Sequence, residues 1–337
     1  MRYRDAGVDL DIHRQMHMIA RKIVEKTSSH IGVEIGNIGG YVQFIRGEIG
    51  DIGIHVDGVG TKTLVLLKTG KLRIAGWDCV VMNANDIACD GFRALAFSDY
   101  IAMEKPDVNM YAEVMKGIED ALIRVKAPII SGETAIMPGV VRGLDVVCIA
   151  LAIRRKPFQN KAQSYDVVIG VNSYGLHANG YSLARKIVEE VIGDYNKEID
   201  GINIGDELSK PTAIYYNLAL EAVENGIANS IAHVTGGGWS KLKRVLSESL
   251  DMELRPPPPM PIFRLLMEKG DIPLDEAYRV FNMGIGLVLT THKSRVDELV
   301  SMIHRHGFYP YILGHVKPGQ GIVRLHIDWA GDRVVEL

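Results

Sequence analysis

The sequence predicts an α+β protein of two domains, each built from helices and a mixed sheet. Three observations carry this. The chain has 337 residues, 47% of them hydrophobic, which is enough for a sizeable core and long enough to divide. Strand-like and helix-like runs alternate in both halves. Between them lies RRKPFQNKAQSY (154–165), polar and carrying Pro157, where a boundary fits best, giving domains 1–157 and 158–337.

The elements follow in order. Leu10, Ile12, Met16, Ile19, Ile23 and Val24 recur at helical spacing over 10–26. The glycine-rich run 31–50 reads as loop with one short strand. Over 51–57, Ile52, Ile54 and Val56 alternate with Gly53 and His55, a strand ending at Asp57. Helices are predicted over 60–69 and 77–90, a strand over 95–102, and a strongly striped helix over 107–125. A strand at 128–130 leads into SGETAIMPG, read as loop, and LDVVCIALAI (144–153) is a buried strand. In the second half, 166–173 is a strand, 180–192 and 212–226 are helices, and 233–246 is a glycine loop opening a helix. RPPPPMP (255–261) is an extended connector. A strand lies within 276–291, a helix over 294–307, and the last strand over 311–316.

Composition excludes several classes. A net charge of −3 lacks the basic excess of a nucleic-acid binder. Cys79, Cys89 and Cys148 lie far apart without a CxxC pair, which offers no zinc site and fits a reducing cytosol. The N-terminal MRYRDAGVDLDIHRQ is charged and lacks a signal-peptide core, and no apolar run is long enough to span a membrane.

Several motifs carry chemistry. In DGVGTK (57–62), Gly58 and Gly60 let backbone N–H groups approach a polyphosphate. Thr61 can donate a hydroxyl, Lys62 can neutralise phosphate, and Asp57 can hold Mg²⁺. It is not a Walker loop, and the same strand–turn–helix junction also suits a purely structural role. NANDIACDG (83–91) places Asp86 and Asp90 four apart, a two-carboxylate Mg²⁺ set or a solvated helix edge. Glu133 in SGETAIMPG follows a strand, as a metal ligand, a general base or a helix cap. NSYGLHANGYSLARK (172–186) is a second anion cradle with His177, Asn179 and Gly180, where Asn179 also suits an N-cap. HVTGGGWSKLKRVL brings Gly236, Gly237 and Gly238 before a helix, flanked by His233 and Thr235. RVFNMGIG (279–286) interrupts an apolar run with Asn282 and two glycines. Glycine-lined junctions with three acids (Asp57, Asp86, Glu133) suit ATP–Mg²⁺ and a second phosphorylated ligand, because phosphoryl transfer needs mainly positioning and charge neutralisation.

Eight segments, in order, resemble one family: YRDAGVDLD (3–11), DGVGTK, MNANDI (82–87), SDYIA (98–102), SGETAIMPG (131–139), GLHANGYSLARKI (175–187), AHVTGGG (232–238) and YRVFNMGIG (278–286). The chain is similar over almost its whole length to aminoimidazole ribonucleotide synthetases, the phosphoribosylformylglycinamidine cyclo-ligases of purine biosynthesis. The resemblance implies a cytoplasmic ligase that closes the imidazole ring of formylglycinamidine ribonucleotide with ATP and Mg²⁺. It implies a homodimer whose N-terminal domains form a β-barrel-like core, with an α/β C-terminal domain. It also implies roles. Asp57 and Asp86 would bind Mg²⁺ with Glu133 as a third ligand, and Gly58, Gly60, Thr61 and Lys62 would contact ATP phosphates. His177, Asn179 and Gly180 would meet substrate phosphate or the reacting amide, and Gly236 to Gly238 would line the same cleft. His177, Glu133 and Lys62 would be the catalytic groups. Departures from the family pattern are Val56 for Thr, Ser131 for Gly, Ile136 for Glu, Ala178 for Ser and Ala213 for Arg, the last to be offset by Arg185 or Lys210. Two other readings keep the same ATP half: another ATP-dependent enzyme of the superfamily, and a nucleotide-binding paralogue without turnover.

Overall fold

The computed structural model describes residues 1–37 and 40–337, so positions 38 and 39 of the glycine-rich run lie outside the described residues. The first half forms one six-stranded sheet. Its strands are β1 (Ile35–Gly36), β2 (Gln43–Gly47), β3 (Gly50–Gly58), β4 (Arg93–Met103), β5 (Ile129–Ile136) and β6 (Leu144–Arg154), in the order β1-β2-β3-β6-β4-β5. All neighbours are antiparallel except β4 and β5. One row of the register runs Asp57–Cys148–Asp99–Gly132 across β3, β6, β4 and β5.

Four helices belong to this half: α1 (Leu10–Ile31), α2 (Lys62–Thr69), α3 (Arg73–Cys89) and α4 (Val108–Val125). α4 starts where the Asp107 carboxylate accepts from the Asn109 and Met110 amides and stops at Lys126 in the left-handed region. α3 is buried on nearly all sides, so it has no polar face to show water. α3 and α4 cross at two glycines. A Cβ on Gly76 would lie 1.9 Å from the Val114 carbonyl, and one on Gly117 would lie 1.8 Å from that of Arg73. Only glycine permits that approach.

The second half holds a seven-stranded sheet, a two-stranded ribbon and six helices. Its strands are β7 (Val167–Asn172), β8 (Glu198–Ile199), β9 (Ile202–Asn203), β10 (Ser230–His233), β11 (Leu250–Leu254), β12 (Ile285–Thr291), β13 (Pro310–Pro318), β14 (Val323–Ile327) and β15 (Arg333–Glu336). The large sheet runs β10-β12-β7-β13-β11-β14-β15, with only β11 and β14 parallel. The helices are α5 (Tyr181–Ile187), α6 (Ile204–Leu208), α7 (Tyr216–Glu224), α8 (Pro261–Gly270), α9 (Leu274–Val280) and α10 (Val296–Arg305). The α+β class with two mixed sheets therefore holds. One apolar cluster runs from Val80, Val81 and Ile87 of α3 into Ile169 and Val171 of β7 and Leu218 of α7, so the halves share a core.

Three expectations need correction. SGETAI is not a loop but the body of β5, paired along β4. Two strands follow 311–316, namely β14 and β15. The glycine-rich run holds two short strands, β1 and β2, rather than one. Among the described residues, no helix is long and apolar enough to cross a membrane.

Candidate active site

β3 alternates as expected, but its apolar face is the outer one. Ile54 and Val56 are exposed, while Gly53, His55 and Asp57 face α3. The chain then turns through Gly58 and Gly60 into α2. Gly60 adopts φ 61°, and nothing lies within 4 Å of the Cβ it lacks, so the turn is open on that side. Asp57 Oδ1 accepts from the Gly58 amide at 2.8 Å.

MNANDI forms the middle of α3, where three polar side chains divide the work. Asn83 Nδ2 donates to the carbonyls of Cys79, Cys148 and Asp57, and its Oδ1 accepts from His55 Nδ1 at 2.8 Å. Asn85 accepts from the Tyr215 amide and donates to the Ala213 carbonyl, which fixes the second half onto the helix. Asp86 sits between two imidazoles, with Oδ1 2.6 Å from His233 Nδ1 and Oδ2 3.4 Å from His55 Nε2. Asn85 Nδ2 also faces His233 Nε2, so the proton of His233 sits on Nδ1 and points at Asp86.

Electrostatics separate the two acids. Burial pushes Asp86 up, but the hydrogen bonds and charges of His233 and His55 outweigh it and hold the carboxyl far below the usual range. Burial lowers His55, yet its Asp86 and Asn83 bonds win and raise it. Asp57 is raised, first by burial and then by the negative charge of Asp86. Two carboxylates that repel one another, with no cation bonded to Asp57 among the described residues, fit a hard divalent cation. Mg²⁺ takes oxygen ligands, often one or two carboxylates completed by phosphate and water. Among the described residues no group of three or more His, Cys, Asp or Glu is arranged so as to hold a metal. Asp90 is not part of it. It is buried, accepting from the Val42 amide and from the Asn37 and Asn160 side chains.

The remaining predicted residues fall into three groups. Thr61, Asn179, Gly236 and Gly237 converge at the partly exposed rim. Thr61 Oγ1 is 3.3 Å from Ser182 Oγ, and a Cβ on Gly236 would lie 3.2 Å from Asn179 Oδ1. A second group is buried beneath. Gly180 packs on Phe281, and Gly238, at φ 53°, leaves only 2.3 Å between its missing Cβ and the Tyr278 carbonyl, so both are packing glycines without an open face. His177 is buried in the left-handed region at φ 64°. Its Nε2 faces the Tyr174 amide at 3.4 Å, and its Nδ1 has no hydrogen-bond partner among the described residues. Burial, then His233 and Lys62, hold it well below the usual range, so the ring is neutral at pH 7.

The side chains of Lys62 and Glu133 are placed away from the Asp57–Asp86 pair. The Lys62 ammonium is fully buried and donates to Asp78 Oδ2 at 2.5 Å and to the His177 and Lys210 carbonyls at 2.6 Å each. An ammonium has three donors, and all three are taken. Lys62 thus fastens DGVGTK to the second half instead of facing an anion. Glu133 is exposed on the edge strand β5 and pairs with Tyr100, on the face opposite Asp57 and three strands away. Ala213 is buried and its carbonyl holds Asn85, while Arg185 bonds Glu189 and Lys210 bonds Glu207. Spacing alone missed His55 and assigned no role to Asn83, Asn85 or His233. The available signals were the inward position of His55 on β3 and the place of His233 at the end of β10, before three glycines.

Two family profiles match the chain: "AIR synthase related protein, N-terminal domain" over residues 41–153 and "AIR synthase related protein, C-terminal domain" over residues 165–326. The phosphoribosylformylglycinamidine cyclo-ligase of Sulfurisphaera tokodaii is 37% identical over 322 residues, covering 95% of each chain. Those of Saccharolobus solfataricus and Thermococcus kodakarensis are 38% and 36% identical, over 95% of this chain and 95% and 96% of theirs. Among solved structures, a hydrogenase maturation protein HypE in complex with ATP superposes with a TM-score of 0.63 at 15% identity, over 85% of this chain and 84% of that one. Thiamine monophosphate kinase from Aquifex aeolicus does so with a TM-score of 0.62 at 14% identity, over 90% and 96%. These two share the fold. With relatives alike over nearly the whole length and Asp57, Asp86 and the glycine turns assembled at one place, this chain belongs to the phosphoribosylformylglycinamidine cyclo-ligase family of AIR synthase related proteins.

Proposed function

We propose that this protein closes the imidazole ring of formylglycinamidine ribonucleotide in purine biosynthesis, consuming ATP and releasing 5-aminoimidazole ribonucleotide, ADP and phosphate. The observation that carries the reading is the meeting of DGVGTK, NANDI, HANGYSL and HVTGGG around one pair of carboxylates. The formamide oxygen is a poor leaving group. Its attack on the γ-phosphorus breaks the bond to ADP and makes it a good one. The amidine nitrogen then attacks the activated carbon, loses a proton and expels phosphate.

The residues divide this work. Gly58, Gly60, Thr61, Gly236 and Gly237 offer backbone and hydroxyl donors to phosphate at the rim. Asp57 and Asp86 would hold Mg²⁺, which when bound would supply charge neutralisation to phosphate. His233 and His55 keep Asp86 ionised for that purpose. Asn179 donates to oxygens of the substrate from the rim, and the neutral His177 supports that loop from beneath. Lys62 positions the turn. Gly180 and Gly238 act through packing, and Glu133 stays outside the metal set of its own chain.

The protein works as a cytoplasmic homodimer, with the division between its domains at 157/158. The dimer is supported by the outer face of the first sheet, where Ile45, Ile54 and Val56 are exposed and Ile149 and Leu151 only half-covered. The deciding experiment is a coupled assay of ADP release with formylglycinamidine ribonucleotide, with and without Mg²⁺. Substrate-dependent ADP release that requires Mg²⁺ is expected, and its absence under every condition would sink the reading.

A further inference from the structure

We propose that Lys241 is the cation that holds the nucleotide polyphosphate, the part that spacing assigns to Lys62. The inference rests on the ATP reading above and deepens it. Lys241 lies in the 3₁₀ turn Gly238–Arg244 that follows the glycine triple. Its stem folds back over the rim, with Cε 3.8 Å from where a Cβ on Gly237 would be. The side chain is half-buried, within electrostatic reach of both Asp57 and Asp86, yet hydrogen-bonds to neither. Burial and Arg244 bring it down to about 8, so it remains mostly protonated at pH 7.

Its surroundings are built to keep it there. Arg244, one turn on, stacks its guanidinium 4.7 Å from the Tyr41 ring centroid. The Tyr41 hydroxyl is in turn locked between the amide and carbonyl of His233, the residue that bonds Asp86. His17 of α1 stands within reach of the same two cations. An ammonium half out of water and without a hydrogen-bond partner among the described residues is an unfavourable arrangement that a bound anion relieves. Lys241 thus has Asp57 and Asp86 within electrostatic reach of its ammonium and Gly237 against its stem. A polyphosphate chelated to Mg²⁺ is the ligand whose charge fits between them. Lys62 cannot take this part because its three donors are spent. Lys243, next but one in the same turn, is exposed.

The test uses the full chain and the coupled ADP-release assay, with Lys241→Met, Lys241→Gln, Lys241→Arg and, as a surface control, Lys243→Met. Losing a charge-assisted contact of this kind should raise the KM for ATP by about tenfold to a hundredfold. The KM for formylglycinamidine ribonucleotide should stay within about threefold, and Lys241→Arg should restore most of the loss. Lys243→Met should behave as wild type. An unchanged ATP KM in a folded Lys241→Met or Lys241→Gln variant, beside an active wild type, overturns the role of Lys241 and leaves the cyclisation reading standing. A wild-type protein that neither releases ADP nor binds MgATP in calorimetry overturns both.

Discussion

Asp86 is the residue on which the site turns, because its charge is fixed by two neighbours from distant parts of the chain. His233 arrives on β10 and His55 on β3, and both stabilise the ionised form. Asp86→Asn keeps the size and can still accept from His233, but removes the charge a divalent cation needs. We expect Mg²⁺-dependent ADP release to fall at least about a hundredfold in the folded variant, and the thermal midpoint to drop as well, because the ion pairs that hold Asp86 ionised also stabilise the fold. Near wild-type turnover in that variant would take Asp86 out of the site. Asp57 and Asp86 stood out in the sequence as candidates because each is an acid set among small residues at the end or middle of an apolar run, and the fold brings the two within electrostatic reach of one another. Lys62 was not. Its place in GTK is what a phosphate-binding lysine would have, but Asp78, a turn and a half of helix further into the fold, claims it. Nothing local announces that pairing. Lys241 escaped notice for the opposite reason, standing in a basic stretch (KLKR) where any one lysine looks like a solvated charge.

At the scale of elements, β3 shows how a pattern can be right in period and reversed in sense. Alternation puts Ile54 and Val56 together, but the face they form is exposed, and the polar His55 and Asp57 point inward to α3. Such a face needs a cover, and a second copy of the chain is the cover proposed. Ile54→Lys combined with Val56→Glu should shift sedimentation from dimer to monomer, because charged side chains would have to be desolvated at the seam. A dimer that survives both changes would place the interface elsewhere. β5 was missed because SGETAI lacks an apolar alternation; its pairing with β4, not its own propensity, makes it a strand. β14 and β15 have a similar dependence, and here the tie is ionic. Glu253 of β11 meets Lys317 of β13 and both Arg324 and His326 of β14. Burial would raise Glu253, but these bonds bring it to about 2. A depressed carboxyl stabilises the fold fully above its ordinary pKa and loses that contribution as pH falls toward about 2. Glu253→Gln should therefore flatten the decline of the urea midpoint between roughly pH 4.5 and pH 2. A slope identical to wild type would show that the cluster contributes nothing to acid stability.

The two halves behave as one body because sequence-distant polar ties cross a shared core. α3 contributes Val80 and Ile87 to that core, and the same helix sends Asn85 to Tyr215 and Ala213 and Asp78 to the Thr212 amide. Lys62 completes the crossing through the carbonyls of His177 and Lys210. The α+β class was legible from the alternation of strand-like and helix-like runs, but the coupling was not, since every one of these ties joins residues more than a hundred positions apart. The coupling sets a clear expectation for Lys62→Met. The methionine fills most of the volume but leaves Asp78 buried without its cation and two carbonyls without donors. Breaking a buried pair from one side costs about 3–5 kcal/mol, so the urea midpoint should drop accordingly. Adding Asp78→Leu removes the stranded charge and should recover part of the loss, though not the part owed to the carbonyls. A phosphate role for Lys62 predicts something else: a raised ATP KM with unchanged stability. Denaturation and ATP kinetics on the same two variants separate these outcomes, and an unaltered urea midpoint in Lys62→Met would return Lys62 to the nucleotide.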